Sequence, residues 1–149
     1  MPLMHSFSVK ESIRKRYRGI NMVSIVSSII GTVLLLAVAV MEVLLIAGLP
    51  LGEFTMGGRH KVLPPMYRMF AASSIILQLF GAAMLLQGSG LMGMWFAGNV
   101  IKIICFVFAG FFAINTVMNL ISPSKKEKYV MTPLAAVEAC CFAITAFLM

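Results

Sequence analysis

The sequence predicts an all-α polytopic membrane protein, a four-helix transmembrane bundle with a short N-terminal amphipathic interfacial helix. Three observations predict it. Hydrophobic residues make up 60% of the chain and charged residues 11%, whereas a soluble domain carries about 45–50% apolar and about 25% charged residues. Several apolar runs reach the ~20 residues that a spanning helix needs. They show no period-two alternation, so helices rather than barrel strands satisfy the backbone in lipid. The net charge of +7 does not outweigh these features. A soluble enzyme, a disordered tail and a nucleic-acid binder are all excluded on composition.

Residues 1–19 form the first unit, with Lys10, Arg14, Lys15, Arg16 and Arg18. Ser8 and Glu11 have the spacing of a capping box. Val9, Ile13, Tyr17 and Ile20 recur at helical spacing, with the basic residues mainly off that stripe. This predicts a surface helix attracted to anionic lipids at about 1 kcal/mol per basic residue. The transmembrane domain, residues 20–149, follows. Span 1 covers about 20–47, with Glu42 near its far end. Ser24/Ser28 and Ser27/Gly31 give small-residue spacings that permit close helix contact, within one bundle or in a homodimer. Pro65 suits the first turn of span 2, about 65–87. Gly88-Ser89-Gly90 then breaks the helix.

Span 3 covers about 94–121, with Trp95 and Phe96 suited to an interfacial belt. Ser122-Pro123-Ser124 stops it. Thr132 at N-cap and Pro133 at N1 predict the start of span 4, about 133–149, which is barely long enough to cross. An N-in arrangement puts five basic residues beside span 1 inside and six (Arg59, Lys61, Arg68, Lys125, Lys126, Lys128) on the other side. The charge bias nearly cancels, and the first span, which usually dominates, predicts a cytoplasmic N-terminus in the plasma membrane. The uninterrupted apolar run past Ala39 argues for a retained span rather than a cleaved signal. Cys105, Cys140 and Cys141 read as small buried hydrophobes.

Two loop segments carry a resemblance. Leu49–Arg68 (LPLGEFTMGGRHKVLPPMYR) has a G-x-P-x-G start at Gly48, a Gly-Gly pair, then V-L-P and an Arg. Asn119–Pro133 (NLISPSKKEKYVMTP) has N-L-x-S, a Glu and a Pro that opens the last helix. Together they resemble a family of small bacterial integral membrane proteins with four predicted spans. The resemblance implies the four-span fold and a bacterial source, and no activity.

Antiparallel spans would place both large loops on one side, at 48–64 and 122–132. That side collects Glu42, Glu53, Arg59, His60, Lys61, Arg68, Asn115, Asn119, Glu127 and Glu138, a candidate polar cluster for an anion or lipid headgroup. Arg68 is informative because a cation in the first turns of a helix opposes the macrodipole. It calls for a partner, which is Glu42, Glu53, Glu138 or a phosphate. Glu138, expected about one turn inside span 4, should face the bundle. Gly57-Gly58-Arg59-His60-Lys61 reads as a structured turn or a phosphate cradle. No ligand spacing supports a metal, no cofactor is implied, and with no Asp in the chain no triad is visible.

Three classes of function fit. A non-catalytic accessory or scaffold protein, or a lipid-interacting one, with its polar face formed by the 48–64 and 122–132 loops, is the leading reading on the small size and the lack of a catalytic set; the other two are alternatives. A dimeric transporter would work through Glu42 or Glu138 and needs one of them to face a cavity. A lipid-modifying enzyme needs Arg68 and His60 to converge on a pocket. Partners on these readings are the bilayer, another membrane protein or a second copy.

Overall fold

A computed structural model describes residues 21–149; the basic segment with Lys10, Arg14, Lys15, Arg16 and Arg18 lies outside the described residues. The fold is an all-α four-helix bundle of α1 (Met22–Ile46), α2 (Pro65–Gly88), α3 (Gly98–Leu120) and α4 (Thr132–Leu148). All four helices are long and apolar enough to cross a membrane, the last when its lead-in from Glu127 is included. This fits a multi-pass membrane protein. Each helix packs on the next in chain order, and α4 returns to α1 to close the ring. The α2–α3 contact is the loosest of the four.

The helix ends follow local chemistry. The Asn21 side chain caps α1 by accepting the Val23 amide, and Pro65 sits in the first turn of α2, where its missing N–H is no loss. At the far turn, Gln87 accepts the Trp95 amide at 2.7 Å, and Met94–Ala97 precede α3 rather than join it. The start of α4 differs from the expected one. Helical backbone runs back through a π-helical turn at Glu127–Met131, and the Thr132 hydroxyl caps nothing. Inside a helix, the Pro133 ring would clash with the carbonyl four residues back; the wider π turn relieves that clash and lets the helix continue.

The extension lengthens the fourth span and changes the depth of Glu138. It lies eleven residues past Glu127, about three helical turns in, rather than the single turn expected. Its neighbour across the bundle is Gly31, in the middle of α1. A Cβ on Gly31 would meet Leu85 at 2.7 Å, Cys141 at 3.0 Å and a Glu138 oxygen at 3.4 Å. Glycine is what lets α1 approach α2 and α4 this closely. Ser24, Ser27 and Ser28 are buried on the same helix, with the Ser27 hydroxyl 3.4 Å from that of Thr145.

The core is apolar and aromatic, built from Leu35, Met84, Leu85, Ile101, Phe108 and Phe142 with their neighbours. Phe142 stacks on Phe108 and Phe112. The outward faces are also apolar, with Ile76, Ile114 and Phe147 largely exposed. That inversion of the soluble pattern is expected where hydrocarbon is the solvent.

Candidate functional site

The two long loops are tied to each other. The first carries two short 3-10 turns, Gly52–Phe54 and Met56–Gly58. Gly57 has φ +73°, a conformation glycine adopts without steric cost. This turn directs the Gly57 amide to a Glu127 oxygen at 2.8 Å. Ser122 donates to the same carboxylate oxygen. The Gly57-Gly58 turn therefore serves an anion that belongs to the chain itself. Ser124 donates to the Glu53 carbonyl, and Lys126 pairs with the Glu53 carboxylate while lying 5.5 Å from the centre of the Phe54 ring. The hydrogen bond and charge of Lys126, with a smaller share from Lys61, hold the Glu53 carboxyl below its usual range.

Beneath these loops, all four helices line a chamber of about 300 Å³. Its polar lining comprises Glu42, Ser74, Gln78, Asn115, Asn119 and Glu138, with Thr55 and Glu127 at the loop end. Phe54, Phe70, Phe108, Phe111 and Phe112 supply aromatic walls. No Lys, Arg or His lines it among the described residues. Phe70, Leu77 and Phe111 line it and also reach the outer surface. Where α2 and α3 pack loosely, the wall is thus one side chain thick.

Two groups in the chamber are under-partnered. Gln78 donates to Glu42 at 2.9 Å, yet its own side-chain oxygen accepts nothing from the described residues. Glu138 is only 2% exposed, and neither of its carboxylate oxygens has a hydrogen-bond partner among the described residues. Burying a polar group without a partner is costly, and more so for a charge, so such a group calls for an explanation.

The expected polar cluster is thereby divided. Glu42, Asn115, Asn119, Glu127 and Glu138 line one chamber. Glu53 sits in the loop clamp. Arg59 and His60 are exposed on the first loop, with the His60 ring 5.5 Å from that of Tyr67. Arg68 pairs with no carboxylate among the described residues; its Nε donates to the Leu63 carbonyl at 2.8 Å, and its guanidinium lies against Gly48, just past the end of α1. The negative end of the α1 dipole and a backbone carbonyl answer the charge for which a carboxylate was the expected partner.

Sequence reasoning missed Ser74, Gln78, Phe54 and Phe70. A lone Gln within the apolar run of α2, four residues after Ser74, was the available signal. Among the described residues no three His, Cys, Asp or Glu side chains gather as a metal site requires. The free thiols of Cys105 and Cys141 are buried, and that of Cys140 is exposed. The chain matches no family model, no curated protein and no solved structure.

Proposed function

We propose that this protein is a small membrane transporter whose solute site is the chamber and whose working groups are Glu138 and Glu42. The single observation that carries this reading is Glu138, a residue of the chamber lining buried in the middle of a spanning helix, both of whose oxygens are unpaired among the described residues. Ionisable groups at membrane depth commonly mark ion and proton pathways. A bare carboxylate there has no donor, so it is neutralised by a proton or by a cationic solute. The two then compete for one group, which is the elementary requirement for coupling solute movement to protons. Glu42, already bonded to Gln78, is the second carboxylate on the same path.

The lipid-modifying reading needs Arg68 and His60 at a pocket, and neither lines the chamber. The scaffold reading draws on an apolar groove between α1 and α4, lined by Val26, Ile30, Val137, Cys140 and Ile144 among others. Among the described residues that groove exposes no polar surface to specify a partner, so the chamber carries the stronger argument. We place the chain in a bacterial plasma membrane with its N-terminus in the cytoplasm. The loop-covered end of the chamber then faces outward.

The test is electrical. Protein reconstituted in liposomes on a solid-supported membrane is challenged with sodium, potassium, magnesium and organic ammonium chlorides. At least one cation is expected to give a charge displacement in the wild type that Glu138→Gln reduces at least tenfold. Equal signals in the two proteins, or none with any cation, would contradict the proposal.

A further inference from the structure

We infer that the chamber takes a small primary ammonium ion with an aromatic body. The inference rests on the transporter reading and names the substrate class of the same site. Charge gives the sign of the ligand. Three carboxylates line the chamber, Glu42, Glu138 and, at its loop end, Glu127, and no cation lines it among the described residues, so an anion or a phosphate headgroup would meet repulsion without compensation.

Hydrogen bonding then narrows the cation. Three fully buried acceptors on residues that line the chamber accept no hydrogen bond among the described residues: both oxygens of Glu138, and the side-chain oxygen of Gln78, which is 8% exposed. A primary ammonium offers three N–H donors. A quaternary ammonium offers none and would leave all three acceptors unsatisfied. A small inorganic cation would meet more carbon than oxygen, because the polar groups are scattered among leucines and phenylalanines.

Size and walls give the body of the ligand. About 300 Å³ is the lower end of the range for small-molecule sites, ~300–1,000 Å³, and too little for a two-chain lipid. Phe108 and Phe112 stack with Phe142 as a continuous aromatic surface, and Phe111 stands edge-on to Phe112 with ring centres 5.3 Å apart. Aromatic faces attract a cation as well as an aryl ring. Entry follows from the thin wall: turning Phe70, Leu77 or Phe111 outward would open the chamber toward the hydrocarbon, where the aryl end of an amphiphilic amine already partitions.

Equilibrium binding to the full-length protein in detergent distinguishes this class from its neighbours. The probes are phenethylammonium, ethylammonium, benzyltrimethylammonium and sodium. Phenethylammonium is expected to bind at least tenfold more tightly than the other three, and Glu138→Gln to weaken it at least tenfold while the variant still melts cooperatively. Phe111→Ala, at a half-exposed lining position, should weaken phenethylammonium by about 3- to 30-fold and leave ethylammonium unchanged. If sodium or the quaternary ion binds through Glu138 and phenethylammonium does not, the ligand class is overturned and the chamber site stands. If no cation binds in a Glu138-dependent way, both fall.

Discussion

Glu138→Leu is expected to yield a protein that is more stable than the wild type and unresponsive to cations. The wild-type side chain is buried with two unpaired oxygens, and an unsatisfied buried polar group costs roughly 1–3 kcal/mol. Leucine has a similar volume and no polar atom, and replacing even a buried ion pair by packed apolar residues is often neutral or stabilising by about 1–4 kcal/mol. A gain of about 1–3 kcal/mol follows, read as a higher melting temperature in detergent. A group that destabilises the fold and is needed for activity is the usual mark of a functional rather than a structural residue. Marked destabilisation by leucine would instead make Glu138 part of the framework.

Phe142→Ala is expected to produce the largest loss of stability of any single truncation in the bundle. The ring is fully buried, lies 4.9 Å from Phe108 at 12° between planes, and lies 5.7 Å from Phe112 at 13°. It also reaches α2, where a Cβ on Gly81 would come within 3.1 Å of it. Removing a buried phenylalanine side chain costs about 3–5 kcal/mol, because the cavity left behind closes only in part. In a bilayer this packing matters more, since lipid exclusion adds little force between apolar helices. Phe108 and Phe112 line the chamber, so their loosening should also weaken any ligand held against them. Chemical or thermal unfolding beside Phe142→Leu checks it: leucine should recover most of the loss. Equal losses for the two would show that the aromatic stack itself, rather than filled volume, holds the core.

Four spans and an antiparallel bundle were legible because continuous apolar length is a strong signal that packing need not modify. The polar residues of the chamber were legible in part. Glu42, Asn115, Asn119, Glu127 and Glu138 stand out in or beside apolar segments, and topology alone places them at one end. Which of them share a space depends on helix rotation and depth, and the depth of Glu138 turned on a π turn that no residue pattern announces. Thr132-Pro133 is a sound start signal, and a helix that widens to tolerate Pro133 defeats it. Arg68 misled for a related reason. Its partners are a backbone carbonyl and the end of a neighbouring helix, and backbone groups are identical at every position of a sequence. Gln78 was overlooked because one neutral amide barely changes the hydropathy of its span, although it bonds the carboxylate of Glu42.

The most direct measurement is labelling with an apolar carbodiimide, which enters the bilayer and reacts with carboxyl groups there, followed by peptide mass spectrometry with and without phenethylammonium that counts the N-acylurea and any phenethylamide formed from the activated carboxyl together as label. Cation binding at Glu138 predicts that this residue is labelled in the free protein and progressively protected as the amine is added. Glu53, held by Lys126 in the loop clamp, should show no protection. Labelling of Glu138 that is unchanged at every amine concentration, and equally unchanged by sodium and potassium, would contradict a cation site in the chamber.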